Sequence, residues 1–189
     1  MAGQPNHPLW TRALHLANLL VLVLMAGSGL QIYNANPVFG GRQGPTIPAA
    51  LTLGGWLAGG RHWHFGLMGL FALVLGSWSL LLLGLRRRRL AVAGDLQTLG
   101  ASGNANRRRL AIHRLIYSLM LVVLALALLS GLAMFKPASL WWLSGLFGSW
   151  QTLRLWHFAT VPLMVLLVLA HGLMAWRVGG WRLLRSMGP

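Results

Sequence analysis

Four of the seven histidines in this 189-residue chain, His15, His64, His157 and His171, lie in or at the edge of long apolar runs. An imidazole in such surroundings is costly unless a partner satisfies it. The stretch WHFATVPLMVLLVLAHG, residues 156–172, carries two of them, fourteen residues apart. The chemistry that neutral imidazoles offer in an apolar setting is metal ligation. The chain has no cysteine, which excludes disulfides, thiolate iron–sulfur sites and covalent CxxCH haem attachment. Any redox centre is therefore held by His or Met.

The elements that must position these rings are membrane spans. The chain is 56% hydrophobic and 9% charged, with one acidic residue, Asp95; a soluble domain is about a quarter charged. Four segments reach the roughly 20 residues needed to cross a hydrocarbon core: about 9–33, 64–85, 110–135 and 155–176. The chain is expected to be all-α, a single membrane domain over residues 1–189. The first apolar run is expected to be a retained span rather than a cleaved signal peptide.

The net charge of +15 raises the question of nucleic acid. The arginines, however, stand in short blocks between apolar runs, which is the loop pattern of a polytopic membrane protein, so no nucleic-acid partner is expected. One side holds Arg12, Arg86 to Arg89, Arg107 to Arg109, Arg114, Arg177, Arg182 and Arg185. The other holds Arg42, Arg61, Lys136 and Arg154. This imbalance places both termini and the central loop in the cytoplasm and the two Trp-bearing loops outside, in the periplasm if the membrane is a bacterial inner membrane.

A weak internal repeat organises the rings. Span two opens Arg61-His62-Trp63-His64-Phe65 and span four opens Arg154-Leu155-Trp156-His157-Phe158, both R-x-W-H-F. Spans one and three both end in Ser-Gly-Leu, at residues 28–30 and 130–132. His64 and His157 fall at one depth, about 5 Å inside the outer boundary; His15 and His171 share another, about 8 Å inside the inner boundary. His157 and His171 are about 21 Å apart along their helix and within about 40° of one face. Two levels of two facing imidazoles suit two bis-histidine haems. Zinc would ask for four ligands at one place, and a proton relay for carboxylates.

Other residues keep two readings. His62 competes with His64, and the repeat favours His64. His113 either touches a quinone or a haem propionate, or caps a helix start. His7 precedes the first span and is expected to be exposed. Arg61 and Arg154 either pair with propionates or anchor the interface. Gly29, on the face of His15 but at the outer level, would leave room for a porphyrin, as would Gly66, Gly69, Gly76 and Gly131. Pro162 would kink the fourth span.

These residues resemble the bacterial cytochrome b561 / nickel-hydrogenase b-type cytochrome family, through HPLWTRALH in span one, RHWHF opening span two, and RLWHF with His171 fourteen residues beyond its histidine. The resemblance covers nearly the whole chain. It implies a left-handed four-helix bundle holding two haem b groups, one on His15 and His171 at the inner level and one on His64 and His157 at the outer. SGLQIYNANP, after span one, is similar to the branch that partners periplasmic molybdenum oxidoreductases, while HRLIY, residues 113–117, looks more like the stand-alone members. The resemblance therefore implies electron transfer between quinone and a periplasmic partner, a molybdenum oxidoreductase or hydrogenase-type subunit. The alternatives are an autonomous superoxide:quinone oxidoreductase, with Arg61, Lys136 and Arg154 attracting the anion, and a structural anchor with no redox role.

Overall fold

The computed structural model describes residues 8–101 and 103–186; His7 lies outside them. Among the described residues every regular element is helical. Four helices are long and apolar enough to cross a membrane: α1 (Leu9–Ala35), α2 (Leu57–Leu85), α4 (Ala105–Phe135) and the Trp150–Arg177 part of α6 (Trp150–Arg185). Two short helices, α3 (Gly94–Ala101) and α5 (Trp141–Gly145), lie in the connections. A helix suits an apolar phase because it satisfies its backbone hydrogen bonds within its own segment.

Three of the four long helices begin before the expected spans, and α1 and α6 end beyond theirs. α2 begins at Leu57 and α6 at Trp150, so His64 and His157 each lie seven residues past the first residue of their helix, farther along it than the expected spans put them. The physical reason is local. Ser149 caps α6 by accepting from the Thr152 N–H at 3.1 Å. Asn104 caps α4 by accepting from the N–H groups of Asn106 and Arg107. The extra turns of α2 and α6 carry Trp63 and Trp150, residues suited to the headgroup layer, where a helix need not stop.

The helices pair as two hairpins, α1 with α2 and α4 with α6. The first hairpin is closed by a folded loop. Asn34 clamps Ile47 by donating to its carbonyl at 2.9 Å and accepting its N–H at 2.7 Å. The turn into α2 uses Gly54 and Gly55 at φ 113° and 71°, a region that side-chain-bearing residues rarely adopt. At mid-depth the hairpins meet through apolar side chains. Val21, Phe71 and Leu75 pack with Leu124 and Leu128, and Val123, Met164 and Leu167 pack with Leu22. At the outer rim Gln151 Nε2 donates to the Val38 carbonyl at 2.9 Å, and Tyr33 stacks on Phe158 with ring centres 4.6 Å apart.

The opposite faces carry largely exposed leucines, such as Leu73 and Leu166, 66% and 64% exposed. In a chain with these spans they face lipid. Pro162 keeps helical dihedrals; the non-helical residue within α6 is Gly180, at φ 58° and ψ −155°. Losing the Pro162 N–H frees one carbonyl without breaking the helix, whereas Gly180 reverses its φ and redirects the chain beyond it.

The single carboxylate is a buried clip. Asp95, 1% exposed, receives Arg114 Nε at 2.9 Å and Arg114 Nη2 on its second oxygen. It also accepts the Val92 N–H at 2.9 Å, and Ala91 N–H donates to Ser118 Oγ at 2.8 Å. These bonds strap the loop before α3 onto α4. The Arg114 hydrogen bond holds the Asp95 carboxyl below its ordinary range, against the opposing effect of burial.

Candidate functional site

A cavity of about 750 Å³ opens between the hairpins toward the outer end, lined from α1, α2, α4 and α6. It is mostly apolar, within the size range of cofactor pockets, and His64, His157, Arg61, Arg154, Gly29 and Gly131 all line it. His64 and His157 come from different hairpins, and their rings meet across it. The ring centres are 6.1 Å apart and the planes are perpendicular. His62, two residues before His64, is exposed on the outside of α2.

Each ring is held by a serine on its own hairpin partner. His64 Nδ1 lies 3.1 Å from Ser28 Oγ and 3.1 Å from the Met25 carbonyl. His157 Nδ1 lies 2.9 Å from Ser130 Oγ. Ser28 and Ser130 are the serines of the repeated Ser-Gly-Leu, so the two repeats meet: each Ser-Gly-Leu touches the histidine of one R-x-W-H-F. The glycines between follow the same rule. A Cβ at Gly29 would stand 3.2 Å from His64 Cε1, and one at Gly131 would stand 3.1 Å from His157 Cε1. Within the protein Gly29 thus makes room for an imidazole. Around Gly66, Gly69 and Gly76 a Cβ would meet nothing within 4 Å, so no neighbouring side chain depends on their smallness. The sequence singled out the Ser-Gly-Leu repeat as an alignment device and missed the serines as partners of the rings.

The arginines differ in their contacts. Arg61 lies over Phe65, 5.6 Å from its ring centre. Arg154 donates from Nη1 to Gln151 Oε1 at 3.1 Å and from Nη2 to the Asn36 carbonyl, tying the start of α6 to the end of α1. Both still border the cavity. Lys136 sits over Phe135, 5.9 Å from its ring centre.

At the inner level His171 faces α4. Its ring centre is 5.4 Å from that of His113 and 5.7 Å from that of Tyr117. His15 packs 5.9 Å from Trp78. The His171 Nδ1 and the Thr11 hydroxyl, one turn before His15, are buried without a hydrogen-bond partner. Buried polar atoms are normally satisfied, so among the described residues these two stand out as open to a further partner.

No group of three or more His, Cys, Asp or Glu gathers among the described residues, so these rings do not build a protein-only metal cage. The outer pair differs: two neutral imidazoles from different hairpins border one apolar cavity, with ring centres 6.1 Å apart, and such rings could hold the iron of a haem.

The class this architecture defines is a multi-pass membrane protein with four long apolar helices and paired intramembrane histidines. The family model described as prokaryotic cytochrome b561 matches residues 6–189, and the chain belongs to that family. It is a membrane b-type cytochrome with an electron-transfer role, and the family implies b-type haem. A curated relative, the putative protein-methionine-sulfoxide reductase subunit YedZ1 of Azospira oryzae, is 30% identical over 180 residues, covering 87% of each chain. No solved structure matches the chain.

Proposed function

We propose that this chain carries electrons across a bacterial inner membrane as the cytochrome subunit of a periplasmic oxidoreductase, linking quinone to that partner through two b haems. The whole of residues 1–189 acts as one domain, with both termini cytoplasmic. The observation that carries the reading is the opposition of His64 and His157 across an apolar cavity between the hairpins. These two rings would hold the outer haem, and His15 and His171 the inner one.

When bound, each haem supplies a one-electron couple whose potential the protein tunes by ligation, burial and nearby charge. The chain's own residues do the rest. His64 and His157 present imidazoles to the cavity, and Gly29 and Gly131 let those rings approach the facing helix. Arg61 and Arg154 border the cavity and would pair with propionates. His113, whose ring packs beside His171, would touch a quinone headgroup near the inner level.

The relative's name, a reductase subunit, favours a partnered role over an autonomous one. The partner would be a soluble redox enzyme docked at the outer, Trp-bearing face, of molybdenum-oxidoreductase type. The test is redox titration of the purified chain, followed by reduction with a quinol analogue and addition of the candidate catalytic subunit. Bis-imidazole haem spectra, reduction by quinol and reoxidation on adding the partner are expected. Absence of haem absorbance would end the proposal. Reduction by superoxide, with no electron delivery to any partner, would replace it with the autonomous superoxide:quinone activity.

A further inference from the structure

Proton counting at the outer site assigns more than the contacts alone. Ser28 and Ser130 are fully enclosed. A serine hydroxyl has one proton to give and two lone pairs. Ser28 donates to the Leu24 carbonyl at 2.7 Å, with the Met25 carbonyl at 3.1 Å. Ser130 donates to the Leu126 carbonyl at 2.6 Å, with the Ala127 carbonyl at 3.3 Å. Carbonyl oxygens only accept, so each serine proton is committed to its own helix. What Oγ then offers the neighbouring imidazole is a lone pair.

The imidazole must therefore be the donor. His64 Nδ1–H donates to Ser28 Oγ, and His157 Nδ1–H to Ser130 Oγ. The Met25 carbonyl, 3.1 Å from His64 Nδ1, gives the same answer independently, since it too only accepts. A neutral imidazole with its proton on Nδ1 keeps its lone pair on Nε2. Both rings are thus preset in one tautomer before any ligand arrives.

We propose that Ser28 and Ser130 are positioning residues that lock His64 and His157 in the Nε2-ligating tautomer and strengthen them as donors, lowering the potential of the outer haem. The proposal rests on the haem reading above. A hydrogen bond from a ligand's distal N–H makes the ring more basic, and a more basic axial ligand favours ferric over ferrous iron. At the inner level the buried His171 Nδ1 has no such partner among the described residues.

The experiment compares Ser28→Ala, Ser130→Ala and the corresponding Ser→Thr variants of the haem-loaded chain by redox titration and pulsed EPR. Each alanine variant should raise the outer midpoint potential, Ser28→Ala by less because the Met25 carbonyl still accepts from His64 Nδ1, leave the inner one in place and alter the remote-nitrogen couplings of the outer haem. Threonine, which keeps the hydroxyl, should restore both. Outer potentials and couplings unmoved by alanine, with haem retained, would overturn the proposal. Should the alanine variants fail to accumulate, wild-type couplings decide: a hydrogen-bonded Nδ1–H on both outer ligands supports it, and a free N–H on either sinks it. Wild-type protein with no outer bis-imidazole signal at all would overturn this proposal together with the haem reading, an outcome distinct from an unmoved potential.

Discussion

The imidazoles of His64 and His157 meet at right angles, 6.1 Å between ring centres, though each is anchored only within its own hairpin. Ser28 holds one and Ser130 the other. Neither ring is fixed by the hairpin that the opposite ring belongs to, so the space between them is set by how the two hairpins dock.

Loss of either ring should therefore empty one site only. His64→Ala or His157→Ala is expected to remove about half of the bound haem while the remainder stays reducible. His15→Ala or His171→Ala should remove the other half. Haem content per protein and low-temperature difference spectra check this. Loss of all haem from a folded His64→Ala protein would mean that the levels are wrongly paired.

Gly131→Ala places a methyl 3.1 Å from His157 Cε1, closer than an ordinary contact. Overpacking costs about 1–3 kcal/mol, more than the roughly 0.5–1 kcal/mol gained by replacing a helical glycine. A net loss near 1 kcal/mol and a perturbed outer haem spectrum are expected. Gly66→Ala, with open space around it, should show neither. Thermal melts and spectra of the two variants side by side make the comparison.

Gly180 has φ 58° and ψ −155°, a combination open in practice to glycine alone. Gly180→Ala is expected to cost about 1–3 kcal/mol locally, or to straighten the end of α6. Cysteine accessibility scanning beyond residue 180 would report the change in direction.

Asp95 gives a pH dependence. Its carboxyl titrates below the ordinary value in the folded chain because Arg114 holds the ionised form. Its contribution is therefore complete above the unfolded carboxylate pKa of about 3.9. It disappears as the pH falls through the lowered folded value. Asp95→Asn should remove it at neutral pH, costing about 2 kcal/mol for the charge-assisted bonds and loosening the loop on α4. Melting temperatures of the two proteins should differ at pH 7 and converge in acid.

His113→Phe is expected to leave both haems bound, because an aromatic ring still fills the place beside His171, and to slow reduction by a quinol analogue several-fold. Stopped-flow reduction of the folded variant measures this. An unchanged rate would confine His113 to packing.

Much of this was legible in the residue order. Four spans follow from hydrophobic run length alone, and the R-x-W-H-F repeat singles out the two rings that meet, leaving His62 outside. What periodicity could not carry is which face of one helix turns toward which neighbour. Ser28 and Ser130 were visible as aligned positions, but their bonds to His64 and His157 depend on the packing within each hairpin. His171 was matched to His15 by depth, and depth says nothing of azimuth; the structure turns His171 toward His113 and Tyr117. α4 and α6 start before the expected boundaries where Asn104 and Ser149 cap them, whereas α2 starts at Leu57 with no side-chain cap.

Because Ser28, Gly29 and His64 belong to one hairpin and Ser130, Gly131 and His157 to the other, each hairpin is a complete half-site. A symmetric pair of one such hairpin would already enclose the outer cavity with both rings correctly protonated.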